Sequence, residues 1–123
     1  HEVDPAQPET LVRALAELLP TGAVQREDAA AWVAFGAAAS TRPWLADPYW
    51  EALQIMRTWV EGILTDARKA GRMRVDLSPA EGARLVTAVV NGLTLDLLNA
   101  PPTESDEVIG QLRSGLGLIL RGL

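Results

Sequence analysis

The chain has 123 residues, 48% of them hydrophobic, which fits one domain with its own core and leaves little room for a second. It contains no cysteine, which excludes a disulfide framework, a thiolate metal site and a cysteine nucleophile. The formal net charge of −5 argues against nucleic-acid binding by this polypeptide alone, because DNA-binding domains neutralise phosphates with a basic face.

Proline and glycine divide the chain into five predicted helices, and no segment alternates polar and apolar residues as a strand would. The first helix is predicted from Glu9 to Leu19, with leucines recurring along one face. The second is predicted from Val24 to Thr41. It is rich in alanine, which favours helix and lets neighbouring helices approach closely.

The third helix is predicted to begin after an N-cap at Asp47, with Pro48 in the first helical position, and to end near Ala70. Apolar residues at helical spacing form its core stripe, which Ile55 and Trp59 widen. The stripe consists of Tyr49, Leu53, Met56, Val60, Ile63 and Ala67.

The fourth helix has the clearest start, because Ser78 and Glu81 have the spacing of a capping box. It is predicted over Pro79–Asn99 and is apolar almost all round, which is typical of a helix buried on more than one side. Asn91 and Asp96 are polar residues within this apolar helix. The simpler interpretation places Asn91 on a wetter strip with Thr87 and Thr94, and expects Asp96 to be paired or exposed. The alternative places one of them at a helix seam or in a pocket.

The fifth helix is predicted to start at a Thr103 cap and to extend to Arg121. Three glycines lie inside it, each costing about 1 kcal/mol relative to alanine. Such a cost indicates that another helix comes close to this one. The glycines are Gly110, Gly115 and Gly117.

The sequence lacks the usual signs of catalysis: it has no glycine-rich phosphate loop, no nucleophile elbow and no histidine pair on a helix. His1 is the only histidine. We therefore expect no cofactor and no metal site, and an enzyme relying on carboxylates is the least favoured alternative. We find no signal peptide and no apolar run long enough to span a membrane, so a cytoplasmic protein without a membrane partner is expected.

Four tryptophans suggest either ordinary core packing or an aromatic-lined cavity for an apolar or cationic small molecule. Trp44 and Trp50 are expected at an edge, whereas Trp32 and Trp59 can converge where the second and third helices cross. The candidate pocket residues are Leu15, Trp32, Phe35, Met56, Trp59 and Val60.

The last two predicted helices carry more apolar surface than three shorter helices can cover, and such a surface usually marks an interface. We expect a two-fold homodimer in which these helices form a four-helix contact. The candidate interface residues are Leu85, Val89, Gly92, Leu93, Asp96, Leu112, Gly115, Leu116 and Ile119.

Three segments, residues 31–38, 70–79 and 83–93, resemble the C-terminal domain of TetR/AcrR-family repressors, and the sub-group resembles the BetI type. The resemblance covers roughly Thr10 to Leu120. It implies an all-α five-helix orthogonal-type bundle whose last two long helices form the dimer interface, and whose earlier helices enclose an inducer pocket.

The resemblance also implies that operator DNA is read by an N-terminal helix-turn-helix, which would precede residue 1 and is absent from this chain. The inducer is left open between a choline-like cation, a drug and a lipid. Two alternatives remain: a helical homodimeric interaction module with a filled core, and the carboxylate-using enzyme. The sequence also leaves open whether the chain is a fragment of a longer protein or a stand-alone domain.

Overall fold

The computed structural model describes residues 7–101 and 104–123, and within them the chain forms five α-helices, as predicted. These are α1 (Pro8–Ala16), α2 (Ala23–Ala39), α3 (Pro43–Lys69), α4 (Pro79–Asn99) and α5 (Ser105–Leu116). In the described residues, extended backbone pairs at one antiparallel bridge, between Met73 and Leu120. The all-α class is confirmed. No described helix is long and apolar enough to cross a membrane.

Helices α3 and α4 form the main antiparallel pair. The δ1 carbon of Leu64 lies 2.8 Å from the position that a Cβ of Gly82 would occupy, near the loop that joins the two helices. Further along, Arg57 Nε donates a 3.5 Å hydrogen bond to Thr87 Oγ1. The capping box at Ser78 and Glu81 is present and fixes the start of α4.

The remaining helices cover this pair from different sides. Helix α5 packs on α4, α1 packs on α5 and α3, and α2 packs on α3 and α4. One continuous core of fully buried apolar side chains joins α1, α3, α4 and α5, and α2 contributes none of them. Ala29 of α2 is buried, but it is not part of this continuous core. Helix α2 therefore lies against the bundle without entering its core.

The predicted start of α3 was wrong. The helix begins at Pro43, after extended backbone at Arg42, so Asp47 is not an N-cap and Pro48 lies inside the helix. A proline inside a helix removes one backbone hydrogen bond. Here it lies in the second turn, close to the helix start.

The predicted end of α5 was also wrong, because the helix stops at Leu116 and Gly117 occupies its C-cap. The chain then turns back, since Arg74 N donates to Ile119 O (3.0 Å) and Arg121 N donates to Arg72 O (2.7 Å). The predicted cap at Thr103 lies outside the described residues. Helix α5 is thus a 12-residue helix rather than a long one.

Smaller differences concern α1 and the outer face of α3. Helix α1 ends at Ala16, three residues before the predicted Leu19, which remains buried. Ile55 and Trp59 were expected to widen the core stripe of α3, but they are 73% and 47% exposed. The core stripe of α3 widens on its other flank instead, where Leu64, four residues after Val60, is fully buried.

Candidate functional site: a cavity between α2, α3 and α4

A partly open cavity of about 260 Å³ lies where α2 stands against α3 and α4. Its floor is formed by small or apolar side chains of all three helices, among them Ala29, Ala52 and Val90. The full lining is Glu17, Leu18, Gln25, Asp28, Ala29, Trp32, Ala52, Met56, Val90, Asn91 and Thr94. Cavities of this kind, mostly apolar with a few polar groups, are typical small-molecule sites.

Trp32 is held from three directions. Its indole ring stacks on Tyr49, with centroids 4.7 Å apart, and meets the edge of Phe35 at 6.0 Å. The indole Nε1–H donates a 3.1 Å hydrogen bond to Asn91 Oδ1. These contacts tie α2 to both α3 and α4 through one side chain.

Gly36 permits the close approach of α2 to this aromatic group. A Cβ at Gly36 would lie 3.0 Å from the Cε1 atom of Tyr49, tighter than nine in ten Cβ contacts, so the tyrosine ring would have to move back by a few tenths of an ångström. The alanine-rich sequence of α2 indicated that neighbouring helices approach it closely, and this contact agrees with that expectation.

Trp32 and Asn91 also line a second cavity of about 320 Å³. The second cavity is lined further by Tyr49 and by Leu95 of α4. The hydrogen-bonded pair Trp32 and Asn91 is therefore shared by two cavities along α2.

The charged side chains in the described lining of the first cavity are all acidic. Two exposed carboxylates, Glu17 and Asp28, belong to its lining, and neither forms an ion pair within the described part of the chain. None of the described lining residues is lysine, arginine or histidine. The hydroxyl of Thr94 is already used, because it donates a 2.7 Å hydrogen bond to Val90 O.

The structure brings together only part of the predicted pocket. Trp32 and Met56 line the cavity, and Phe35 contacts the Trp32 ring from outside it. Leu15 and Val60 lie fully buried in the core, and Trp59 lies on the outer side of α3. Of the two edge tryptophans, Trp44 is exposed, and Trp50 lies 5.2 Å from the guanidinium carbon of Arg57.

Sequence reasoning missed the acidic and amide residues of the lining. Asn91 was noted, but the preferred interpretation placed it on a wetter strip with Thr87 and Thr94, and both threonines are buried. Its position within an apolar helix was the one available signal. Asp96 is exposed, as that interpretation expected.

The residues predicted for the dimer interface fall into three groups. Leu85, Gly92 and Asp96 are exposed along α4. Val89, Leu93 and Gly115 are half-buried beside them. The three apolar residues from α5 and the turn after it lie inside the core of this same chain: Leu112, Leu116 and Ile119.

Within residues 7–101 and 104–123, no group of three or more histidine, cysteine, aspartate or glutamate side chains is arranged to hold a metal ion. The described lining offers apolar surface, one aromatic ring, two amides, two carboxylates and one hydroxyl.

Comparison with known proteins places these features in context. Residues 8–121 match the family model described as BetI-type transcriptional repressor, C-terminal. The structure is similar to the crystal structure of a transcriptional regulator from Rhodococcus sp. Rha1, with a TM-score of 0.79 and 26% sequence identity. The match covers 98% of this chain and 62% of that regulator, so the chain spans less than two thirds of its length. No curated protein matches the chain.

Proposed function

The chain belongs to the family of BetI-type transcriptional repressor C-terminal domains, and we propose that it is the effector-binding and homodimerising domain of a transcriptional regulator. In this proposal a small molecule binds between α2, α3 and α4 and controls operator binding. Operator DNA is contacted by an N-terminal helix-turn-helix, not by this domain. Because such a regulator acts where the chromosome lies, we also propose a cytoplasmic location.

The observation that carries the effector role is the cavity bounded by α2. Helix α2 contributes nothing to the continuous core, so the space beneath it can change without unfolding the bundle. Trp32 and Asn91 supply an aromatic face and polar groups to an otherwise largely apolar lining. This combination of apolar surface with a few polar groups favours a small organic ligand.

The exposed face of α4 supports the homodimer. Leu85 and Leu95 are 46% and 48% exposed, and Ala88 and Gly92 lie between them at helical spacing. We call this set the α4 strip. A Cβ at Gly92 would have no atom within 4 Å, so nothing in this chain requires glycine there. A helix of a second copy packed on the strip would require it.

The proposed interface is accordingly centred on the α4 strip and its flanks. It includes the half-buried Val89 and Leu93, the exposed Asp96, and Gly115 and Leu118 on the α5 side. It leaves out Leu112, Leu116 and Ile119, because the core of the chain itself contains their side chains.

The cavity and the α4 strip are neighbours along one helix. Asn91 lines the cavity and accepts a hydrogen bond from Trp32, while the adjacent Gly92 faces outward. A ligand that displaces Trp32 therefore acts on the helix that carries the dimer contact. This adjacency gives the proposed regulation a physical route from effector to interface.

The second candidate function is that of a helical interaction module that binds no ligand. The exposed α4 strip supports this candidate as much as it supports the effector-binding domain. An enzyme is the weakest candidate, because the described lining around the carboxylates of Glu17 and Asp28 contains no histidine, cysteine, serine or lysine. The effector cavity is what separates the first candidate from the second.

A thermal-shift screen of small molecules tests the effector role. A ligand that binds the folded chain alone raises its free energy of unfolding, by about 2.7 kcal/mol at a hundred times its dissociation constant. We expect hits whose stabilisation disappears in Ala52→Met, which fills the cavity from α3, and persists in Ala34→Met, at an exposed site of α2. If every hit survives Ala52→Met, the chain is a dimerisation module and the effector role is wrong.

A further inference from the structure

The charged side chains in the described lining of the cavity are acidic, whereas a site for an acid or an anionic lipid carries basic side chains. We infer that the effector is a protonated amine, carrying N–H groups, with a short apolar tail. The inference rests on the effector role proposed above and deepens it by naming the chemical class of the ligand.

The apolar part of the cavity sets the size and nature of the tail. Its volume of about 260 Å³ lies just below the range of about 300–1,000 Å³ typical of sites for drug-sized ligands. The side chains that surround this volume without offering a hydrogen bond are Leu18, Ala29, Ala52, Met56 and Val90. A short alkyl or single-ring tail matches both the volume and the lining.

The carboxylates of Glu17 and Asp28 set the charge of the head group. Both belong to the lining and both are exposed. Neither has a partner in an ion pair within the described residues. An anionic ligand would meet two like charges and no compensating cation, whereas a cation would form charge-assisted hydrogen bonds.

The aromatic content of the site distinguishes an N–H cation from a quaternary one. A quaternary ammonium ion has no N–H to donate, and proteins recognise it with a cage of several aromatic faces. Trp32 is the aromatic residue among the described lining residues, and Tyr49 already stacks on its ring. Recognition therefore depends on the acceptor oxygens of Glu17, Asp28 and the amides, which require a donor.

A matched series of hexyl compounds tests this inference: hexylamine, 1-hexanol, hexanoate and hexyltrimethylammonium share one tail and differ in the head. Binding is followed by NMR through the indole N–H signals of the unmodified chain. The Trp32 signal reports the cavity because its N–H is bonded to Asn91. The Trp44 signal, from an exposed ring outside the cavity, is the internal control.

We expect hexylamine to shift the Trp32 signal saturably, with an affinity at least tenfold higher than that of the other three compounds. Tenfold corresponds to about 1.4 kcal/mol. If 1-hexanol or hexanoate binds as tightly, the effector role stands and the amine assignment is wrong. If hexyltrimethylammonium binds as tightly, the requirement for N–H is wrong. If none of the four shifts Trp32, both the assignment and the proposed effector cavity fail.

Two neighbouring carboxylates on α2 provide matched variants. Asp28→Asn removes a charge from the lining, whereas Glu27→Gln removes a charge from an exposed residue outside it. We expect Asp28→Asn to weaken hexylamine binding several-fold and to leave 1-hexanol binding unchanged, with Glu27→Gln close to the unmodified chain. An equal effect of both variants would mean that only the net charge of the chain matters, which overturns the assignment.

Discussion

Single residues decide how closely the helices of this domain approach one another. At Gly82 a Cβ would lie 2.8 Å from Leu64 Cδ1 and 2.9 Å from Met73 Cε, inside the packed core. At Gly62, on the exposed side of α3, a Cβ would meet no atom within 4 Å. The two glycines thus share a helical setting and differ in the space around them.

This difference predicts opposite effects of the same substitution. Gly82→Ala gains helix propensity but overpacks the α3–α4 contact, where the ends of Leu64 and Met73 are buried and have little room to shift, and we expect the free energy of unfolding to fall by up to about 2 kcal/mol. Gly62→Ala changes only the helix propensity, and we expect the free energy of unfolding to rise by up to about 1 kcal/mol. Urea denaturation measures both. A Gly82→Ala chain as stable as Gly62→Ala would mean that the two helices are not packed as described.

Residue patterns predicted the core better than the cavity. The stripe of α3 is largely confirmed, because helical spacing alone places Leu53, Val60 and Ala67 on one face. Asn91 could not be placed in the same way, since its partner Trp32 is 59 residues away. Nor does spacing show that Thr87 is buried, because its hydroxyl donates to Ala83 O of its own helix (3.0 Å) and needs no other partner.

At the scale of elements, the number and order of the helices and both ends of α4 followed from the sequence, whereas the start of α3 and the end of α5 did not. Asp47 and Pro48 have the local chemistry of a helix start, yet the helix begins at Pro43. Likewise the turn after Leu116 depends on hydrogen bonds to the α3–α4 loop, among them Arg121 N to Arg72 O. The start of α3 has a local signal of its own, a proline in the first helical position, whereas contacts with a distant segment hold the turn after α5.

One ion pair between elements gives the stability of the domain an acid dependence. Arg113 of α5 donates two hydrogen bonds to the Glu9 carboxylate of α1, one of them from Nε at 3.4 Å. These bonds lower the pKa of Glu9 in the folded chain. A lowered pKa contributes stability above the usual glutamate value of about 4.3, and that contribution is lost as the pH falls through the lowered value.

We therefore expect Glu9→Gln to lower the free energy of unfolding at neutral pH by less than about 1 kcal/mol, since the pair is partly exposed. The difference from the unmodified chain should shrink below about pH 4. Glu51→Gln, at an exposed site without an ion pair among the described residues, is the control and should have no effect. A difference for Glu9→Gln that is constant from neutral to acid pH would contradict the assignment.

At the scale of the whole molecule, α4 contributes residues both to the effector cavity and to the proposed dimer interface. Asn91 borders the effector cavity, and the α4 strip beside it is about half exposed at Leu85 and Leu95. The sequence predicted a dimer from the apolar character of the last two helices. The structure narrows the surface available for it, because Leu112 and Leu116 are fully buried. A substitution such as Leu116→Asp would thus test folding rather than association.

The solution mass, measured by light scattering, tests the central claim that the domain works as a dimer through α4. We expect about twice the 13.2 kDa chain mass for the unmodified chain and for Ile55→Asp, which places a charge on an exposed apolar residue of α3. Leu85→Asp and Gly92→Leu, both on the α4 strip, should give 13.2 kDa with unchanged helix content. A monomeric unmodified chain, or a dimer that survives both α4 substitutions, would contradict the account.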